Sequence, residues 1–169
     1  MLFRSEVDVH LNPKIGLDWM GHGQQKEALT PGKNEKRYLA GAQDVRTGEI
    51  HWVEATQKNS YLFWDLLYTL TKAYAQATVI HVILDNYSIH SSNIIAVALA
   101  NFASRVRLHF LPPYSPDDNA IERVWKDLHA NVTRNHNCGT MTELMAEVHY
   151  YLRTRNRRTQ ASEASATAA

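Results

Sequence analysis

The sequence has little of several features that assign a protein to a class. It contains one cysteine among 169 residues, Cys138, which excludes an internal disulfide and argues against a structural zinc site. The 18 Lys and Arg residues nearly balance the 17 Asp and Glu residues, and a net charge of +1 does not by itself indicate a nucleic-acid-binding protein. No apolar run approaches the roughly 18 residues of a membrane span, and the first residues lack the features of a secretory signal. We therefore expect a cytoplasmic protein with no membrane association.

Glycine-rich phosphate loops, zinc-protease motifs and serine-nucleophile elbows are absent too, whereas a regular order of apolar patterns is present. Alternating apolar residues predict strands, and apolar residues at helical spacing predict helices. The resulting order of strands and helices favours one α/β domain with a mixed sheet. The predicted strands are Leu2–Leu11, Tyr38–Gln43, Glu49–Ala55, Val79–Leu84 and Val106–Phe110. Helices are predicted from Asn59 or Ser60, from Ser91 or Ser92 to Phe102, over Ile121–Val132, and from Thr140, where Glu143 completes a capping box.

The two ends of the chain carry further predictions. The chain opens directly on a strand, which suggests a fragment or a truncated reading frame. Residues 1–155 are predicted to form the domain. Residues 156–169 lead into a Ser, Ala and Thr tail that cannot bury enough surface to order itself, so this segment is predicted to be disordered. The apolar, β-branched run Val79–Leu84 is predicted to be a central strand covered on both faces.

Two carboxylates are placed where a metal site needs them. Asp85 directly follows the apolar strand, and Glu122 stands near the start of a helix, about 100° from its apolar stripe. Each has an ordinary alternative, because Asp85 can cap a turn and Glu122 can complement the helix dipole. Hard divalent ions prefer carboxylate oxygens, and two such ions about 3.5–4 Å apart clamp the attacking and leaving oxygens of a phosphodiester. The pair therefore favours a site for phosphoryl transfer.

An ordered set of short segments resembles the catalytic domain of the mariner-type transposases, in the bacterial insertion-sequence branch. Any one segment is a weak signal, but their order along the chain is specific, and the match covers roughly residues 5 to 152. The matching segments are Asn12–Gly16, Gly21–Gln25, Thr30–Lys33, Asp85–Asn86 and Leu111–Trp125.

This resemblance implies an RNase H-like (retroviral integrase-like) fold with a mixed five-stranded sheet and flanking helices. It implies Mg²⁺ or Mn²⁺ as cofactor, with two ions, and DNA cleavage followed by strand transfer. Asp85 matches the family's second acid and Glu122 its third. The implied partners are double-stranded DNA, as transposon ends and target, and a second copy in a homodimer. The protein would then lie in the bacterial cytoplasm, at the nucleoid when bound to DNA, and the family's amino-terminal helix-turn-helix region is absent.

The chain departs from the family at the first acid. The family has Asp directly before Glu at the position of Ser5, and a hydroxyl is a poor magnesium ligand by comparison. Glu6 and Asp8 are expected to point to the opposite strand face, unless a bulge redirects them. A milder departure is Ala120, where the family often has Pro. We expect metal-dependent endonuclease activity that Ser5 impairs, or else an inactive remnant that binds DNA or a partner. Another RNase H-like nuclease would fit the fold, but it fits Leu111–Trp125 less well.

Basic residues near the predicted site are candidates for contact with DNA phosphates. Most loop and helix-end cations are simply solvated, and Lys126 can also pair with Glu122 one turn away. Binding is expected to be weak, strongly salt-dependent and without sequence preference. The candidates are Lys14, Lys33, Lys126, Arg153 and Arg157, and the histidines His10, His90, His129 and His136 are weaker candidates for phosphate or water contacts.

Overall fold

A computed structural model describes most of the chain. The described residues are 1–16, 19–24, 27–28, 30–85, 97, 99–102, 105–112 and 119–167. Most of the helix predicted over 91–102, together with Asn86, His90 and most of the proline segment before Asn119, lies outside them.

Five strands form one mixed sheet, as predicted. They are β1 (Leu2–His10), β2 (Lys36–Asp44), β3 (Ile50–Ala55), β4 (Ile80–Leu84) and β5 (Val106–Phe110). Their order across the sheet is β3-β2-β1-β4-β5. The hairpin of β2 and β3 is antiparallel and so is the β1–β2 pair, whereas β1–β4 and β4–β5 are parallel. The first strand of the chain is therefore the central strand of the sheet.

Three helices have full bounds in the part of the chain that the structure describes. α1 (Ser60–Ala73) starts at the predicted cap, where the side chain of Asn59 accepts hydrogen bonds from the backbone N–H of Tyr61 and Leu62. α2 (Ala120–Leu128) continues into a π-helical turn, His129–Thr133. α3 (Met141–Thr167) starts with the predicted capping box, in which Glu143 N–H donates to Thr140 Oγ1 at 3.2 Å and the Glu143 carboxylate accepts from Thr140 N–H.

The alternation of side chains along β1 divides the buried residues into two cores. Val7, Val9 and Leu11 face α2 and α3, where they pack with residues such as Trp125. Leu2 and Arg4 lie on the opposite face of β1, and Leu2 packs there with residues of α1. A one-residue difference in position on β1 thus decides which layer a side chain enters. The alternation places Ser5 on the face of α2, and it places Arg4 and Glu6 on the face of α1.

The prediction that Val79–Leu84 is a central strand covered on both faces was wrong. β4 lies one strand from the edge, and His81 is exposed. Its buried residues Ile80, Val82 and Leu84 all face the α1 core. The apolar run is explained by one buried face, with Ile83 only half-buried on the other.

The carboxyl-terminal segment differs from the sequence-based expectation. Residues 156–169 were predicted to form a disordered tail, but α3 continues through Thr167. Asn156 provides a physical reason, because its side chain donates to the carbonyl of Ile50 at 2.8 Å and accepts from the N–H of Ile50 at 2.9 Å. This amide pairs with the backbone at the start of β3, an edge strand, and extends the contact of the helix with the sheet. Among the described residues, no helix combines the length and the apolar character that crossing a membrane requires.

Candidate active site

Ser5 and Glu122 meet on the α2 face of the sheet. The Ser5 hydroxyl donates a hydrogen bond to the Glu122 carboxylate, and Ser5 is only 5% exposed. β1 supplies Ser5 through its regular alternation, and the first turn of α2 supplies Glu122, which is half-buried. The predicted positions of the first and third acids of the triad are thus in direct contact, and the first carries a neutral hydroxyl.

Two contacts hold the start of α2 against β1. The buried side chain of Asn119, the residue before the helix, donates to the carbonyl of Arg4 at 3.0 Å. About one turn after Glu122, the ring of Trp125 lies over Gly41, which is the β2 residue paired with Ser5. A Cβ at Gly41 would stand 2.6 Å from the indole, so only glycine lets the helix approach this closely. The distance between Glu122 and the sheet is therefore set by the packing beside it.

Arg4 and Glu6 occupy the opposite face of β1. The Arg4 guanidinium donates to the Glu6 carboxylate, and Lys58 Nζ lies 3.4 Å from the other Glu6 oxygen. The guanidinium carbon also lies 4.5 Å from the centroid of the Phe63 ring on α1. The parity argument that excluded Glu6 as a substitute for the missing acid is confirmed, because strand β1 alternates regularly and Glu6 is engaged on the α1 face.

Asp85 follows directly after β4, and its side chain is 60% exposed. Its carboxylate lies 3.8 Å from the Arg4 guanidinium. β4 pairs with β1 through Leu2–Val82 and Phe3–Ile83, so the same register carried two residues further brings Asp85 alongside Ser5. Asp85 is therefore next to the strand segment that carries the first-acid position, with a buried cation close to it.

Burial dominates the electrostatics of Arg4. The side chain is 1% exposed, and desolvation lowers its pKa to about 9, against the opposing attraction of Asp85. A guanidinium with this pKa remains charged at neutral pH. The α1 face of the sheet thus carries a buried positive charge, which is held by the carboxylates of Glu6 and Asp85 and by the ring of Phe63.

The described side chains at and beside Ser5 include two carboxylates of the kind that divalent ions prefer. Asp85 and Glu122 offer carboxylate oxygens, the ligand type that magnesium and manganese prefer. The Ser5 hydroxyl adds no charge and already engages one Glu122 oxygen. Within the described part of the chain, no group of three or more His, Cys, Asp and Glu side chains is arranged to hold a metal. Among the described side chains, two carboxylates and one hydroxyl thus offer fewer charged ligands than two divalent ions need.

A cluster of cations lies where β1 ends. Lys14 forms a backbone bridge with Arg134, and the Asn135 side chain ties this segment to Gly16 through both its amide groups. Burial, and then the charges of Lys14, Arg134 and His10, lower the pKa of His129, which begins the π turn. Burial and nearby lysines also lower the pKa of His10. Like charges held together by backbone contacts make this end of the sheet attractive to an anion.

The basic residues predicted to contact DNA do not form one patch. Lys14 lies just beyond the end of β1, and Lys33 is exposed in the segment that leads into β2 at the same end. Arg153 and Arg157 are exposed on α3, in the part of the helix that packs near the β2–β3 turn at the opposite end of β1. Lys126 is exposed on α2, one turn after Glu122.

Sequence reasoning missed three residues that shape the site. Gly41 carried a usable signal, because an isolated glycine inside a strand often marks a close approach of another element. Asn119 follows the proline segment and is the type of residue that precedes helices, but its bond to β1 is a tertiary contact. Arg4 could be assigned to the opposite face from Ser5, but nothing in its neighbours along the chain indicated Asp85 as its partner.

Comparison with known proteins is consistent with this geometry. The family model described as "DDE superfamily endonuclease" matches residues 1–145. The chain is similar to the "Insertion element IS630 uncharacterized 39 kDa protein" of Shigella sonnei, with 44% identity over 154 residues. This alignment covers 91% of the chain and 45% of the relative, so the chain spans less than half the length of that protein.

Solved structures with similar folds include Mos1 transposase and a retroviral integrase. The "Mos1 transposase paired-end complex with left transposon end" has a TM-score of 0.62 at 13% identity, covering 94% of this chain and 50% of that one. The "Mos1 mariner paired end complex with Mn" has a TM-score of 0.61 at 12% identity, covering 97% and 54%. The catalytic core domain of BIV integrase has a TM-score of 0.51 at 18% identity, covering 69% and 72%. These likenesses show an RNase H-like, integrase-like fold.

Proposed function

Because this chain belongs to the DDE superfamily endonuclease family, we propose that it is the catalytic domain of a DNA transposase whose cleavage step is impaired by Ser5. The contact between the Ser5 hydroxyl and the Glu122 carboxylate carries the proposal. This contact supports the proposal because it joins the two residues that the resemblance assigns to the first and third acid positions. Residues 1–155 form the proposed domain, and DNA recognition by a helix-turn-helix region would require a separate segment.

In this proposal, Asp85, directly after β4, and Glu122, in the first turn of α2, would be the residues that hold a divalent ion. Bound Mg²⁺ or Mn²⁺ supplies a Lewis acid for the phosphodiester and lowers the pKa of a coordinated water. Glu122 is held in place by the packing of α2 on Gly41. Ser5 keeps Glu122 oriented through its hydrogen bond, but it provides no negative charge for a second ion. Reduced affinity for the second ion is the physical cause of the impairment.

Double-stranded DNA is the proposed partner. The cation cluster around Lys14 and Arg134 contacts the phosphate backbone at the end of β1, and Lys33 extends this contact. Arg153 and Arg157, at the other end of the sheet, would then engage a different stretch of backbone, and Lys126 the region near Glu122. Backbone contacts of this kind give affinity that falls steeply with salt and carries no sequence information. We further propose a homodimer, located at the nucleoid in the bacterial cytoplasm.

Supercoiled-plasmid nicking with Mg²⁺ or Mn²⁺ tests the catalytic part. The samples are the unmodified chain, Ser5→Asp, Ser5→Asn as a neutral control, and Ser5→Asp with Asp85→Ala. We expect Ser5→Asp to raise nicking about tenfold or more, since about 1.4 kcal/mol of barrier corresponds to a factor of ten. Ser5→Asn and the double variant should show no gain. Full metal-dependent activity of the unmodified chain, removed by Asp85→Ala, would refute the claim that Ser5 impairs the site.

A second candidate function is an inactive remnant that binds DNA or a full-length partner. The observation that favours it is the buried Arg4 guanidinium, which lies 3.8 Å from the Asp85 carboxylate that a metal ion would need. Binding of a labelled duplex at two salt concentrations distinguishes the candidates when combined with the nicking assay. Salt-dependent binding without nicking in any variant supports the remnant. Tight binding to one sequence at physiological salt would contradict both accounts of DNA recognition.

A further inference from the structure

We infer that Arg4 acts as an internal counter-cation for Asp85 and thereby weakens the binding of a divalent ion at the Asp85 and Glu122 carboxylates. The inference rests on the proposed function, because it concerns the same site. Arg4 would act on the site through Asp85 and would not itself contact the ion. Two features of β1, the hydroxyl of Ser5 and the guanidinium of Arg4, would then act against metal binding.

The geometry fixes the guanidinium where it exerts this effect. Arg4 is 1% exposed, and one of its terminal nitrogens lies 3.8 Å from the Asp85 carboxylate. Its other terminal nitrogen donates to Glu6, and its guanidinium carbon lies 4.5 Å from the centroid of the Phe63 ring. The Arg4 carbonyl is anchored separately by the Asn119 side chain. Strand, ring and carboxylates therefore hold the charge in place, and rotation into solvent is not available to it.

Two carboxylates lie near the Arg4 guanidinium. Glu6 accepts a hydrogen bond from Arg4, and the ammonium of Lys58 lies 3.4 Å from a Glu6 oxygen, so Glu6 lies between two cations. The Asp85 carboxylate lies 3.8 Å from the guanidinium. A divalent ion on Asp85 would add positive charge next to a buried cation that stays protonated at neutral pH. Partial exclusion of water makes that repulsion stronger than it would be between exposed groups.

Titration calorimetry with Mn²⁺ and the full chain tests the inference directly, without relying on catalysis. Arg4→Met keeps the length and the apolar contact with Phe63 but removes the charge. We expect Mn²⁺ to bind Arg4→Met about tenfold more tightly, the smallest change that an opposite charge normally makes to a carboxylate equilibrium. Arg4→Lys keeps a charge and should leave the affinity as weak as in the unmodified chain. Arg37→Met is the matched control, since Arg37 is ion-paired with Glu35 and Glu54 away from the site.

Two further variants identify where the ion binds. Arg4→Met also frees an oxygen of Glu6, so Arg4→Met with Glu6→Gln should retain the tighter binding, whereas Arg4→Met with Asp85→Asn should lose it. Circular dichroism establishes that each variant is folded, and Arg4→Gln replaces Arg4→Met if the latter does not fold. Unchanged Mn²⁺ affinity in a folded neutral variant overturns the inference, as does tighter binding that follows Glu6. Absence of measurable binding up to millimolar Mn²⁺ in the neutral variants overturns it as well.

Failure of the inference about Arg4 can be told apart from failure of the proposed function, because one is read from Mn²⁺ binding and the other from DNA nicking. If Ser5→Asp produces no nicking but Arg4→Met tightens Mn²⁺ binding at Asp85, the inference stands and the catalytic proposal fails. If both effects occur, Ser5→Asp with Arg4→Met should bind Mn²⁺ more tightly than either single variant. Equal affinity of the double variant and Ser5→Asp would show that the charge of Arg4 does not reach the ion.

Discussion

Gly41→Ala should displace α2 and disturb the Ser5–Glu122 contact without touching either residue. The added Cβ would lie 2.6 and 2.7 Å from two atoms of the Trp125 ring and 3.1 Å from the terminal methyl of Ile121. Reaching the 3.4 Å of ordinary contact requires a displacement of about 0.8 Å, and both obstructing groups are buried on the same helix. Overpacking of this kind costs about 1–3 kcal/mol. For a chain of this size, 2 kcal/mol lowers the Tm by about 4–8 °C.

Urea denaturation followed by far-ultraviolet circular dichroism measures this cost. Gly139→Ala is the matched control, because its Cβ would meet only a Glu143 oxygen at 3.7 Å. Trp125→Leu provides the second arm of a double-mutant cycle. With the indole removed, Gly41→Ala should cost less than about 0.5 kcal/mol in that background, and the difference measures the coupling between the two positions.

The packing of α2 on Gly41 predicts that the two alanine variants differ in stability. If the free energy of unfolding of Gly41→Ala lies within about 0.5 kcal/mol of that of Gly139→Ala, α2 has room for a Cβ at residue 41 and the proposed positioning of Glu122 by this contact is refuted. Equal costs of Gly41→Ala with and without Trp125 would refute the assigned cause.

Three other outcomes follow from the contacts described. Asn119→Ala should lower the free energy of unfolding by about 1–3 kcal/mol in urea titration, because the buried Arg4 carbonyl loses its donor, whereas a loss below about 0.3 kcal/mol would show that the bond is dispensable. The pKa of His129 in the folded protein is lowered from 6.5 by burial and by neighbouring cations. As the pH falls, His129 therefore takes up a proton in the unfolded chain at a higher pH than in the folded protein. The stability that neutral His129 allows above about pH 6.5 is therefore lost on acidification. His129→Gln should make the Tm depend less on pH between about pH 7.5 and 5.5. An unchanged slope of Tm against pH in this variant would contradict the prediction. Arg155→Met removes a partly exposed ion pair with Asp127 at 3.0 Å and should change the free energy of unfolding by less than about 1 kcal/mol, a loss that salt should reduce.

Patterns local in the sequence predicted most of the elements, because strand alternation and helix caps are set by neighbouring residues. The parity of β1 correctly placed Glu6 on the face opposite Ser5. The resemblance, not the parity, predicted Ser5 near Glu122, with which it is in contact. The capping box at Thr140 was likewise visible from spacing alone. The resemblance to mariner-type transposases supplied the role of each acid, which no local pattern contains.

What sequence reasoning could not supply depends on contacts between distant segments. The order of the strands put β1 in the middle of the sheet. β4 has a neighbour on each side, as expected, but only one of its faces is fully buried, because an apolar run indicates burial without saying how many faces are covered. Composition predicted a disordered tail, while α3 continues through Thr167 and Asn156, near its middle, attaches it to Ile50. Arg4 looked like an ordinary charged residue near the start of the chain, and only the fold shows that it is buried beside Asp85.

The central place of β1 has a consequence for synthesis on the ribosome. β1 cannot complete its pairing until β2 and β4 have been synthesised, and Ser5 meets Glu122 only after α2 has left the exit tunnel. Pairings between such distant segments form late and slowly compared with local ones. A nascent chain that has been synthesised only as far as β5 therefore carries Ser5 and Asp85 but not Glu122, and the contact between Ser5 and Glu122 cannot form until α2 follows.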